Sequence, residues 1–232
     1  MTWISLIGIT LAVFALIATL AVRTGFRAEF VDTILGANAH VTVYQIPVTN
    51  DFGELDRKIY NYAEMAEAIS QVAGVSRAAP LIKSQVMASY SGNRTGIQVF
   101  GISKDNLLTL PRIAKPEKTI GSISDFTKGI AIGSGVARSL NATIGDMIKL
   151  VSPDGLKTAF GTSPRVKSYK IVYIFTAGRY DIDRTRVYMP FSEAQNYFNS
   201  PGSADEIEVM VEQPENIDQL SEAIFDAVGA RA

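Results

Sequence analysis

Apolar positions crowd the start of the chain and thin out after it. Residues 2–22, TWISLIGITLAVFALIATLAV, carry no charge. A helix rises about 1.5 Å per residue, so twenty such residues cover about 30 Å, the thickness of a bilayer's hydrocarbon. No basic residue precedes the run and no small-x-small cleavage site comes after it, which argues for a membrane helix rather than a cleaved signal peptide. The helical stripe then continues through Phe26, Phe30 and Ile34, with Val31 and Leu35 beside it and Gly36 as the expected cap. Residues 1–23 are therefore read as a transmembrane helix and 24–37 as its stalk.

From residue 38 the pattern changes to short alternating runs. HVTVYQI, 40–46, predicts a strand. EMAEAISQVAGV predicts a helix with Met65, Ile69 and Val72 inward and Gly74 closing it. VSRAAPLIKSQVMASYSGNRTGIQVFGI predicts two strands joined at Gly92-Asn93. KGIAIGSGVARSLNATIGDMIKLVSP reads as strand, glycine turn, short helix, strand. GRYDIDRTRVYMPFSEAQNYF reads as turn, strand, then a helix capped near Ser192. DEIEVMVEQ alternates as a strand, and NIDQLSEAIFDAV places Ile217, Leu220, Ile224 and Val228 on one helix face. This last pair would complete a lobe begun near residue 40. The expected class is thus α+β: one lobe from 38–110 and 203–232, with a β-rich lobe, 111–202, inserted in it.

The segment between the strands DMIKLVS and VKSYKIVYIF breaks this regularity. Pro153 to Arg165 reads as a long hairpin loop, a length uncommon unless it serves a function. Residues 149–170 hold five basic groups against one acid, whereas 205–232 hold eight acids and one arginine. A basic projection on an acidic body attracts an acidic partner surface and repels its own.

Composition removes several chemistries. The 232 residues contain no cysteine and a single histidine, His40, which reads as a structural strand residue. Gly133-x-Gly135 suggests a phosphate loop, but Arg138 stands where a third glycine would be and no Gly-Lys-Ser/Thr comes after it. Those glycines are read as letting a tight turn enter the helix. Asp181, Asp183, Arg184 and Arg186 are read as turn and surface ion pairs. No nucleophile–base set, metal cluster, cofactor site or nucleic-acid motif is apparent, so catalysis is not expected.

GITLAVFALIATLAVRTGFRAEFVDTILGANAHVTVY resembles the first membrane helix and stalk of the lipoprotein-releasing permeases, the LolC/LolE group of ABC transporters. GIAIGSGVARSLNATIGDMIKLVSPDG resembles their MacB-like periplasmic core. TAFGTSPRVKSYKIVYIFTAGRYDIDRTRVYMPFSEAQNYF resembles their hook hairpin with the strand and helix after it. The resemblance implies a permease subunit of the bacterial inner membrane. Its expected partners are a second permease subunit, a cytoplasmic ABC ATPase, the periplasmic chaperone LolA, triacylated lipoprotein cargo and membrane lipid. It implies a hook at 152–167 gripping the chaperone, with Pro153, Leu156, Lys157, Phe160, Gly161, Pro164, Arg165 and Lys167 as its contact residues. It also implies a lipoprotein path along Phe14, Phe26 and Phe30. Arg23 and Arg27, taken alone, would hold the domain after them in the cytoplasm; the resemblance places residues from about 24 onward in the periplasm instead. It further implies that a preceding flank and later spans belong to the whole permease, of which this chain is about half. The readings left beside it are another MacB/FtsX-type permease, for export or cell-wall regulation, and a membrane-anchored binding or adaptor module.

Overall fold

The computed structural model describes residues 2–35, 39–49, 53, 55–158, 161–214 and 217–229. It divides into two units, 1–38 and 39–232. The first holds one helix, α1 (Thr2–Leu35), whose segment Trp3–Phe26 is the one helix among the described residues long and apolar enough to cross a membrane. Thr10, Thr19 and Thr24 return their hydroxyls to carbonyls one turn back, so their polar groups are satisfied within the helix itself. The expected cap Gly36 lies outside the described residues.

The second unit begins with β1 (Val41–Val43), shorter than the predicted 40–46, and a two-stranded sheet of β2 (Val48–Thr49) and β3 (Leu55–Asp56). Then come α2 (Tyr62–Ser70), β4 (Val75–Tyr90) and β5 (Asn93–Ile102). The β4–β5 turn lies at Ser91-Gly92, one residue before the expected place, with both residues at positive φ (46° and 88°). Such a turn matches the twist of the strands it joins.

Short helices α3 (Lys104–Leu108) and α4 (Pro111–Ala114) lead to β6 (Lys118–Gly121), β7 (Ile130–Gly133), α5 (Ser134–Leu140), β8 (Met147–Thr158) and β9 (Gly161–Thr176). The chain continues as α6 (Tyr180–Thr185), β10 (Arg186–Pro190), α7 (Phe191–Phe198), β11 (Glu206–Val211) and α8 (Ile217–Val228). Two expectations are corrected here. The predicted turn at GRYDIDRT is helix α6, and α7 starts at Phe191 behind Pro190 rather than at a Ser192 cap.

Strand pairing decides the architecture. β4 pairs with β5, β5 with β10, β10 with β7, β7 with β9, β9 with β8, and β8 returns to β4. The strands therefore form a closed ring. Ile82, Val86, Ile97, Val99, Ile132 and Ile148 belong to its core, together with Val136 and Leu140 of α5 and Ala194 and Tyr197 of α7. A second core lies under α2 and α8, where Met65 and Ile69 meet Ile207, Val209 and Val211 of β11 and Ile224 and Val228 of α8.

The expected lobe boundary at residue 110 is corrected by these cores. Ile82 to Val99 pack in the ring, and residues 39–232 make one compact unit. The reason is the length of β4. Sixteen residues extend about 50 Å, enough to pair its first half with β11 and its second half with β5 and β8.

The glycine turn also has a different cause from the one expected. Gly133 enters α5 at φ −65°, open to any residue. What excludes a side chain is contact: a Cβ at Gly133 or Gly135 would lie within 2.9 Å of the Asp183 backbone. Nor is Asp183 a surface ion pair. It is buried and accepts the Ala177 N–H at 2.7 Å, with burial holding its carboxyl above the ordinary range. Asp181 does pair at the surface, with Arg179.

His40 has the structural role expected of it. Its Nδ1 accepts the Val211 N–H at 3.0 Å, which requires that nitrogen to be unprotonated. Burial, aided by the charge of Arg77, holds its pKa below 6.5. Because the unfolded chain then takes up the proton more readily, the His40 contribution is complete above about pH 6.5 and declines as pH falls through the folded-state value. Urea unfolding of the wild type is expected to show this decline, and His40→Gln is expected to flatten that part of the pH profile.

Candidate docking arm and its root

β8 and β9 are paired along nearly their whole length, from Met147 with Lys170 to Thr158 with Gly161. The long irregular loop expected from Pro153 to Arg165 is therefore a β-ribbon. The composition misleads because a bulge absorbs the turn-forming residues: after Ser152 pairs with Arg165, the ladder resumes at Leu156 with Ser163. Pro153 and Pro164, which lack an N–H, sit within that break, where no ladder bond is lost. Gly155 lies in it too, so close to the Ser163 carbonyl that any side chain would collide with it.

Beyond the bulge the ribbon stands alone. The pairing of β8 with β4 ends at Val151, and β9 meets β7 only from Ile171 and β6 only from Tyr173. Residues 152–158 and 161–166 pair solely with each other among the described residues, a reach of about 20 Å at the usual strand rise.

The root is held by α7. Tyr197, buried in the ring core, donates its hydroxyl to the Arg165 carbonyl at 3.3 Å, and burial pushes its pKa up to about 12. Arg165 donates to the Asn196 carbonyl at 3.4 Å. Glu193 accepts from Lys167 at 2.5 Å and from the Tyr169 hydroxyl at 2.9 Å. Tyr169 and Tyr197 meet edge to face at 5.7 Å, and Lys167 lies 5.4 Å from the Tyr169 ring centre. Burial and the Glu193 carboxylate together raise the Tyr169 phenol well above its ordinary range.

The predicted contact residues thus fall into different settings. Pro153 and Pro164 are exposed at the bulge. Arg165 is half-buried at the root, and Lys167 is committed to Glu193 of the same molecule, so neither is an unengaged steering charge. Leu156, Lys157 and Gly161 lie on the described backbone, with side-chain surroundings outside the described part, and Phe160 lies outside the described residues altogether. On α1, Phe14 and Phe26 are exposed; the side chain of Phe30 falls outside the described part. Glu193 and Tyr197 were not anticipated as root residues. Their only signal was a spacing of four on a short helix, which puts both on one face. No group of three acidic or histidine side chains gathers into a metal site among the described residues.

Beside the root, the outer face of the ring is hollowed into a groove of about 880 Å³. Its floor holds a row of Gly96, Met87 and Val151 and, next along the strands, a row of Gln85, Gln98 and Arg186; its walls include Pro153 and Pro164, and Asp181 and Thr185 add to the polar end.

The chain thus has a closed ring that shares one long strand with a helix-backed sheet, preceded in sequence by an apolar helix. Residues 2–227 match the MacB-like periplasmic core domain, and the chain belongs to that family. Among its relatives is the lipoprotein-releasing system transmembrane protein LolC of Neisseria meningitidis serogroup B, 25% identical over 238 residues, covering 99% of this chain and 55% of that protein. LolE of Haemophilus influenzae is 22% identical over 225 residues, covering 90% of this chain and 50% of the relative. The chain therefore spans about half the length of the curated relatives it matches. The periplasmic region of MacB from Actinobacillus actinomycetemcomitans shares the fold, with a TM-score of 0.50 at 11% identity, over 88% of this chain and 91% of that one. The expected resemblance of the chain to the LolC/LolE group is borne out.

Removing the Tyr197 hydroxyl leaves the Arg165 carbonyl without its partner at the root. Tyr197→Phe is expected to lower unfolding free energy by about 1 kcal/mol and to speed amide exchange in the ribbon. Lys167→Ala is expected to change stability by less than about 1 kcal/mol, since its partner is partly exposed. Urea melts and hydrogen exchange on both variants measure this.

Proposed function

We propose that the chain is part of an ABC permease subunit of the bacterial inner membrane, which takes lipoproteins out of that membrane and passes them to a periplasmic chaperone of the LolA kind. The observation that carries the reading is the ribbon at 152–166, whose described residues pair only with each other beyond a root held by α7 and which is built from the segment that resembles a LolC/LolE hook. The names of the relatives, lipoprotein-releasing system proteins, supply the cargo class. In this reading the domain after α1 faces the periplasm. A second permease subunit and a cytoplasmic ATPase complete the assembly.

The energetics require such a division of labour. Burying an acyl chain is worth about 0.8 kcal/mol per CH2, so three chains of roughly fifteen methylenes hold a lipoprotein by on the order of 35 kcal/mol. Transfer into water is closed; the lipid must pass from one apolar container to another, with hydrolysis driving the steps. This chain contributes an apolar helix and an arm. The arm is suited to the task because pairing and two prolines set its shape beforehand, lowering the ordering cost of binding. The ribbon's backbone edges can add to a partner's sheet, and Phe160, by its chemistry, is the aromatic anchor in this reading.

A MacB-type exporter without lipoprotein cargo would have the same core fold, so the arm discriminates between the two. Phe160→Ala is expected to reduce capture of the chaperone at least tenfold, about 1.4 kcal/mol, with the melting temperature unchanged. Capture equal to wild type in that variant, or no capture by wild-type chain in membranes, would remove the hand-off from this reading.

A further inference from the structure

The groove beside the arm's root has no part in gripping another protein's backbone. Its floor strands are saturated: Met87 pairs with Gly96 on one side and Val151 on the other. Its walls carry Pro153 and Pro164, which have no N–H to offer. A peptide laid there would find few backbone partners in the floor strands. A hydrocarbon chain has no such requirement. At about 880 Å³ the groove lies within the range of about 300–1,000 Å³ typical of small-molecule sites. It is also amphiphilic lengthwise, apolar around Met87, Gly96, Val151 and the two prolines and polar from Gln85 and Gln98 to Asp181, Thr185 and Arg186. That gradient matches a lipid's tail and its polar attachment.

We infer that this groove is an acyl-chain site, a stopping place for one chain of a lipidated protein between the membrane and the carrier held by the arm. The inference rests on the lipoprotein-release reading for the identity of the lipid, and on the groove for its location. Gly96 is the residue that makes the hollow. It carries no positive φ, and a Cβ built on it meets nothing within 4 Å. A large side chain at 96 therefore fills the groove without disturbing the strand. Met87, 39% exposed, forms the opposite part of the floor, offering a flexible apolar contact.

The test uses the full chain in lipid nanodiscs with a triacylated lipopeptide carrying a photoactivatable diazirine on one acyl chain. A phospholipid bearing the same group on its tail is run in parallel. Labelling by the lipopeptide is expected within residues 85–98 and 151–164. Gly96→Phe should reduce it at least about fivefold while Gly96→Ala leaves it within about twofold. Label confined to α1, label insensitive to Gly96→Phe, or equal labelling by the phospholipid would each overturn the inference. Chaperone capture measured on the same samples separates the two claims. Capture without groove labelling removes the acyl site and leaves the arm standing; groove labelling without capture removes the arm and leaves the acyl site.

Discussion

Met87 with Val151, Ala88 with Leu150, and Ser89 with Lys149 are the pairs that close the ring. Without them β4 and β8 would each present a bare edge, and the apolar faces now enclosed would open to water. Closure also fixes where the chain must leave the sheet. β8 is bonded to β4 only up to Val151, so the described residues past Ser152 on that strand have no neighbour but β9. The arm is therefore a consequence of how the ring is shut. Its root falls where the last shared rung ends, and the groove lies on the outer surface of that same rung.

Charge obeys geometry in a way that composition alone conceals. The ribbon segment is basic, but two of its cations turn inward to α7: Lys167 to the Glu193 carboxylate and Arg165 to the Asn196 carbonyl. Exposed pairs of this kind contribute little to stability. Their effect is directional, because with the Tyr197 hydroxyl they set the angle at which the ribbon departs. Further along the fold, Arg77 and Glu208 form a nearly buried pair at 3.0 Å on the face of β4 and β11 away from the α2–α8 core. Burial raises the Glu208 carboxyl, while Arg77 draws it back down. A carboxylate on that face is thus retained only with its partner in place.

The domain contributes to lipoprotein release, as proposed, by position rather than by chemistry. On that proposal the apolar helix would supply a route the cargo can touch and the paired ribbon a place for a carrier, with the groove beside the ribbon's root. In the proposed reading each would lower the cost of moving hydrocarbon between containers, with the work done by hydrolysis in a separate subunit. The proximity of groove and arm root matters in this scheme, since a chain held there is already beside any protein the ribbon holds.

Much of the secondary structure was legible because it is local. The uncharged run of α1, the alternation of β11 and the stripe of α8 come directly from the spacing of apolar residues. The β4–β5 hairpin comes from its glycine. What the sequence left undecided depends on neighbours distant along the chain. Gly133 and Gly135 look like a turn motif until Asp183 packs onto them, and Pro153 to Arg165 looks like a loop until its two halves pair across a bulge. Glu193 and Tyr197 had no distinguishing mark before the fold brought Lys167, Tyr169 and Arg165 to them. Periodicity encodes which face of an element is buried; which element it is buried against is set by strand pairing and close packing, and those are settled only when the whole ring shuts.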